Sequence, residues 1–438
     1  MANFAKPAGP TFSVEVYQNE YLPEDGREVH AVVTVTATGG GAVLRGTGPS
    51  AAVALMVDCS GSMDYPPVKM RNARDATAAA LDALRDGTHF AVIDGTHVAR
   101  EVYPGGGRLA VADATTREQA KRALRRLSAG GGTAIGTWLR LADRLLASAD
   151  VEIRHGILLT DGRNEHESPE ALRATLDACA GRFTCDARGV GTDWEVKEVT
   201  AIASALLGTA DIVADPARLT DDFTAMMETA MGKEVADVAL RVWTPAGAVV
   251  SYLKQVAPSV EELTDRRTEA GPRAGDYPTG SWGDESRDYH LCVTVPAAGL
   301  GQEMLAARVS LVVPQPDGVA QNLGAQGLVR AVWTDDLTAS TAINPQVAHY
   351  TGQAELAQAI QQGIDLRKAG DMDGATAKLG RAVQLARVSG NADTAKLLAK
   401  VVDVVDASTG TVRLKAKVTE ADEMTLETRS TKTVRVKK

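Results

Sequence analysis

The chain has 438 residues, 44% of them hydrophobic and 24% charged, with a formal net charge of −9. That length exceeds one ordinary domain, and that balance belongs to globular proteins rather than to disordered or fibrous ones. The acidic balance argues against nucleic acid as a main partner, because phosphate binding needs clustered Lys and Arg. No apolar run approaches the ~20 residues of a membrane span, so no membrane partner is expected either. The N-terminus, Met1-Ala2-Asn3-Phe4-Ala5-Lys6-Pro7, has no basic region followed by an apolar run and does not read as a signal peptide; a cytoplasmic protein is expected. Cys59, Cys179, Cys185 and Cys292 form no C-x-x-C pair and read as free thiols.

Residues 1–10 read as a loose lead-in. Phe12, Val14 and Val16 alternate, and His30–Ala37 is β-branched, with the turn signal Leu22-Pro23-Glu24-Asp25-Gly26 between them. Residues 11–48 are therefore expected to form a β-hairpin that needs a sheet elsewhere, since two strands alone are marginal. From residue 50 to 233 strands alternate with helices. The strands fall near 52–57, 88–93, 155–160, 183–190 and 210–214. The helices fall near 68–86, 116–128, 134–148, 168–180, 194–207 and 217–232. Such alternation implies βαβ units and a mostly parallel sheet covered by helices.

Strands return without helices over 235–340, punctuated by turns such as Pro316-Asp317-Gly318. This is an antiparallel sandwich pattern, with residues 264–287 expected as a long Gly- and Pro-rich loop. The early hairpin joins it most simply, which makes the α/β domain an insertion. Residues 347–408 read as a small helical bundle: Leu356, Ile360 and Ile364 share a helix face, and Gly370-Asp371 and Gly390-Asn391 each end one helix and cap the next. The helices resemble tetratricopeptide-type hairpins without their signature aromatics. Residues 411–438 carry eight Lys or Arg against four acids and crowd together Thr425, Thr428, Ser430, Thr431 and Thr433. They are expected to form a solvated tail, with phosphorylation or partner docking as its sharper use.

The chemistry concentrates at three places. The apolar run Val53–Val57 opens into Asp58, Ser60 and Ser62, spaced D-x-S-x-S. Ligand sites of open α/β sheets lie at the C-terminal ends of strands, and hard oxygens suit a hard cation such as Mg²⁺. Gly130-Gly131-Gly132-Thr133 delivers a hydroxyl at the start of a helix. Ile157-Leu158-Leu159-Thr160 leads into Asp161-Gly162. If the strands ending at Val57 and Thr160 are neighbours, Asp58 and Asp161 face each other across one sheet edge. Taken singly, these segments are ordinary caps and turns.

In this order and separation, D-C-S-G-S-M, G-G-T-A and L-L-T-D-G resemble a von Willebrand factor A domain with an intact metal-ion-dependent adhesion site, over residues 50–232. The resemblance implies a Rossmann-like doubly wound sheet, with Ser60, Ser62 and Thr133 ligating a metal directly. Asp58 and Asp161 would act largely through water, and a partner's acidic side chain would complete the sphere. Mg²⁺ is the expected ion, with Mn²⁺ or Ca²⁺ as alternatives. The element order also resembles inter-α-trypsin-inhibitor-like and coat-protein trunk proteins.

No G-x-S-x-G elbow, H-E-x-x-H or phosphate loop is present; Gly105-Gly106-Gly107 lacks the following Lys-Ser/Thr, and His166-Glu167 reads as a solvated loop. The expected function is therefore a metal-dependent protein-binding module or scaffold and not an enzyme. The A-domain subunit of an ATPase-driven chelatase or remodelling complex is the alternative, with a metal-dependent hydrolase a lesser one.

Overall fold

The computed structural model describes residues 10–39, 50–315 and 319–436. The end of the expected hairpin segment, the Pro316-Asp317-Gly318 turn and most of the lead-in lie outside these residues. The chain divides into two compact units, 41–236 with 280–283, and the remainder.

The first unit holds a seven-stranded sheet. Its order is Ala210–Val213, Thr184–Val190, Ile153–Thr160, Ala51–Asp58, His89–Gly95 and Arg100–Tyr103, with Ala110–Val111 also on His89–Gly95. Pairings are parallel up to His89–Gly95 and antiparallel beyond it. Every residue of Ala51–Asp58 is buried, as a central parallel strand requires. On one face Val53, Leu55 and Val57 pack with Ala73, Ala80, Met227 and Ala230, from the helices Val68–Ala83 and Leu219–Met231. Helix Ile135–Leu146 supplies the buried Trp138, whose indole N–H donates to the Thr96 carbonyl at 2.6 Å. Gly95 makes that seat possible, because a Cβ there would lie 2.7 Å from the Trp138 ring.

Two further sheets lie in the second unit, apart from strand ends at 235–236 and 280–282. One runs Thr11–Asn19, Glu28–Thr38, Glu285–Thr294, Val249–Ala257, Glu261–Glu262; all its pairings are antiparallel. The other runs Thr268–Glu269, Ala274–Trp282, Val235–Trp243, Glu303–Val313, Gln321–Trp333, Tyr21–Leu22, with one parallel pair at its end. The two meet where Gly327 lies against Val14 and Val16: a Cβ there would come within 2.6 Å of Val16. The expected loop at 264–287 is instead largely strand. Ala274–Trp282 is buried along almost its whole length, and Glu285–Thr294 pairs residue for residue with Glu28–Ala37. Gly275, Pro278, Gly280 and Gly283 disguised it, being turn formers by composition.

Helices Pro345–Lys368, Met372–Val388 and Ala392–Val401 follow, capped by the side chains of Asn344, Asp371 and Asn391. The segment expected as a solvated tail is folded. Thr411–Leu414 pairs with Val402–Asp406, and helix Glu420–Arg429 buries Leu426 in the core of the helical region. The Thr425, Thr428 and Ser430 side chains are buried, with hydroxyls donating to the carbonyls of Ala421, Met424 and Glu427. Composition misled because Arg413, Lys417, Lys432 and Arg435 are exposed while a few apolar residues, Leu426 among them, anchor the segment.

Inside the α/β unit, Asp186 is buried and accepts from the backbone N–H and hydroxyl of Thr209 at 2.7 and 2.6 Å, with His155 Nε2 at 2.9 Å. Burial pushes its pKa up, but His155, Arg188 and Thr209 outweigh that and hold it below the usual 3.8. A depressed folded pKa contributes stability above the unfolded value that is lost as pH falls. Asp186→Asn should cost about 2–3 kcal/mol at pH 7 in chemical denaturation, and the gap from wild type should narrow progressively below pH 3.8. A gap that does not vary with pH would contradict this account.

Candidate metal centre

Asp58 ends the central strand, and its neighbour Ile153–Thr160 runs parallel, with Val57 opposite Leu159. The register places Asp58 beside the Thr160–Asp161 step. One oxygen of the Asp58 carboxylate accepts from the Ser60 N–H at 2.8 Å. The other accepts from the Thr160 hydroxyl at 2.7 Å and the Asp161 N–H at 3.2 Å. Asp58 is fully buried. Burial first, and then the charge of Asp161, raise its pKa to about 6. Two buried acids this close are an excess of negative charge that favours a cation.

The hydroxyls converge. Ser60 Oγ and Ser62 Oγ are 2.9 Å apart, and Ser62 donates to Asp161 Oδ1 at 2.6 Å. Gly162 leaves the space they enclose open: a Cβ there would lie 3.1 Å from Ser62 Oγ, 3.3 Å from Thr133 Oγ1 and 3.5 Å from Ser60 Oγ. One point is thus ringed by three hydroxyl oxygens from two loops, with two carboxylates behind. All five donors are hard oxygens, the set that suits Mg²⁺, Mn²⁺ or Ca²⁺. The residues present fit a divalent cation.

The loops are tied to one another through backbone groups. Gly61 N–H donates to Gly131 carbonyl at 3.0 Å, and Gly130 N–H to Cys59 carbonyl at 2.8 Å. Gly131 takes φ +79°, a conformation glycine adopts without strain. The start of helix Ile135–Leu146 is satisfied by the loop after Asp161: Ile135 N–H donates to Asn164 Oδ1 and Gly136 N–H to Glu167 Oε2, each at 2.8 Å. His166, exposed as a loop residue should be, also meets Thr133 N–H through Nδ1 at 3.3 Å.

All five residues expected from the sequence come together here. The one that sequence reading missed is Lys69. It is buried in the first turn of Val68–Ala83, and its Nζ donates to Asp161 Oδ2 at 2.8 Å and Asp193 Oδ2 at 3.1 Å. Burial works against its charge, but Asp161 and Asp193 hold its pKa above the ordinary value. A lysine at a helix start carries no signal of this role.

A solved structure of a von Willebrand factor type A protein from Catenulispora acidiphila is 52% identical to this chain, covers 99% of each, and superposes with a TM-score of 0.93. The chain belongs to the von Willebrand factor type A family. Residues 51–212 match the von Willebrand factor type A domain, and 384–430 match the von Willebrand factor type A C-terminal domain, which includes part of the folded C-terminal segment. The ArnB paralog VWA2 from Sulfolobus acidocaldarius shares the fold at 13% identity, with a TM-score of 0.59 over 95% of this chain and 97% of that one. Human COPII-coat protein Sec24c does so at 10% identity, with a TM-score of 0.54 over 89% of this chain and 58% of that one. No curated protein matches. Domains of this family are typically involved in protein–protein interaction and metal-dependent binding. Among the described residues no helix is long and apolar enough to cross a membrane.

Lys69 is what balances Asp161 within the chain's own A domain. Removing one partner of a buried pair leaves the other charge uncompensated. Lys69→Met should lower stability in chelator by about 3–5 kcal/mol, and adding Asp161→Asn should recover much of that loss in urea unfolding. Equal losses in the single and double variants would refute the assignment.

Proposed function

We propose that the chain is a protein-binding module whose grip on its partner depends on Mg²⁺. Ser60, Ser62 and Thr133 would hold the ion directly, with Asp58 and Asp161 acting through water. The observation that carries the proposal is the convergence of those three hydroxyls on the space Gly162 leaves open. Bound there, the cation supplies an exposed positive charge able to take a carboxylate from a partner's Asp or Glu. Thr160 and the Ser60 and Asp161 amides orient Asp58, while Lys69 orients Asp161. No residue here is assigned a catalytic step. The further sheets and helices make the chain a scaffold, and the four buried free cysteines support a cytoplasmic setting.

Tyr65 supports a protein partner. It follows Ser62 by three residues and is 85% exposed. An exposed aromatic beside a charged anchor is a favoured contact in protein interfaces.

In titration calorimetry, wild type should bind Mg²⁺, Asp58→Ala should not, and Gly162→Ala should bind at least about tenfold more weakly because its methyl enters the hydroxyl ring. Capture of a partner in pull-downs should disappear with chelator and with Asp58→Ala. Capture indifferent to both would refute the reading.

Tyr65→Ala separates the two contacts: Mg²⁺ affinity should stay at the wild-type value while partner affinity falls by about 1–2 kcal/mol.

A further inference from the structure

We infer that Glu28, His30 and Cys292 form a second metal site, for a borderline cation of the Zn²⁺ type, on one face of the five-stranded sheet. The strand Glu28–Thr38 alternates. Val29, Ala31, Val33 and Val35 are buried to 1% exposure or less, so Glu28 and His30 point to the opposite face. In the same sheet His30 pairs with Cys292, and Cys292 with Tyr252, making one row across three strands. The long rings of His30 and Tyr252 reach over the shorter Cys292 between them: His30 Nδ1 and the Tyr252 hydroxyl are 3.2 Å apart. Cys292 is only 1% exposed.

The carboxylate of Glu28, a ring nitrogen of His30 and the Cys292 sulfur all lie within 4.8 Å of one another. Glu28 Oε2 and His30 Nε2 are 3.9 Å apart, too far for a hydrogen bond. A tetrahedral Zn²⁺ with bonds of ~2.0–2.3 Å separates its ligand atoms by roughly 3.3–3.6 Å. A small movement of Glu28, the exposed member of the set, closes the Glu28–His30 difference, and the Cys292 sulfur lies within 4.8 Å of both. The donor set differs in kind from the all-oxygen centre, because thiolate and imidazole select softer ions than Mg²⁺.

A hydrogen-bond chain behind the ligands fits this role. The Tyr252 hydroxyl lies 3.2 Å from His290 Nε2 as well as from His30 Nδ1. When Tyr252 donates to His290 and accepts from His30 Nδ1–H, His30 Nε2 keeps its lone pair on the Glu28 side. Ligating histidines are commonly oriented in this way through their second nitrogen. Lys254, over the Tyr252 ring at 5.0 Å, is paired with Glu262 at 3.2 Å. On binding, the Cys292 thiol loses its proton to solvent. One thiolate and one carboxylate then neutralise the dication, and water takes the fourth position.

Co²⁺ tests this on the full chain after metal is stripped with chelator. One equivalent should bring up the thiolate-to-cobalt charge-transfer absorption, and Zn²⁺ should abolish it by displacement. Asp58→Ala should keep the band, which sets this site apart from the all-oxygen centre. Cys292→Ser should lose it. Glu28→Gln, at an exposed position that leaves the core intact, should weaken Co²⁺ binding about tenfold or more, and Tyr252→Phe by about 10–100-fold. Absence of a thiolate band in wild type, a band that survives Cys292→Ser, or Co²⁺ affinity unchanged by Glu28→Gln would overturn the inference.

Discussion

The α/β unit depends on how a carboxylate is kept at the end of a fully buried strand. Asp58 has no exposed surface, and an ionised group so placed costs several kcal/mol unless hydrogen bonds or charges compensate it. Its oxygens take three donors, one from the Ser60 amide of its own loop and two from the end of the neighbouring strand, Thr160 and the Asp161 amide. They arrive only because Ala51–Asp58 and Ile153–Thr160 are parallel neighbours in the register that sets Val57 against Leu159. A slip of one residue would turn Asp58 to the other face of the sheet and leave its charge unsatisfied.

Satisfying Asp58 brings Asp161 close, and the chain answers that second charge with Lys69 from the following helix. The same loops then lock to the start of helix Ile135–Leu146 through Asn164 and Glu167, which fill the backbone donors a helix start leaves open. Thr133 is thereby held opposite the serines. The precision of the hydroxyl ring follows from backbone groups that must be paired in any case, and glycine at 162 keeps its centre clear.

The other unit reaches a mixed-donor cluster by a different route. Strand alternation sends Val29, Ala31, Val33 and Val35 to one face and Glu28 and His30, with the buried Val32, to the other. Cross-strand register then lines up side chains whose positions run from 28 to 292 in the chain. A helix-and-loop edge gathers hard oxygens, while a sheet face gathers whatever the register aligns, here nitrogen, sulfur and oxygen.

What the sequence by itself determined were the features local in the chain: the apolar runs that make buried strands, the D-x-S-x-S, Gly-Gly-Gly-Thr and Thr-Asp-Gly segments at their ends, and the caps that divide the helices. These were legible because strand burial and turn chemistry are written in neighbouring residues. Other features were decided only in three dimensions. Ala274–Trp282 is a buried strand although its glycines and proline read as a loop, because sheet neighbours override weak local preference. The C-terminal segment folds although its composition reads as solvated, because Leu426 and the buried Glu427, paired with Lys368 at 2.7 Å, find partners far back in the chain. Lys69 and the Glu28–His30–Cys292 cluster were invisible for the same reason. Charge pairing and coordination act through space over a few ångströms, and only the folded register brings distant residues that close.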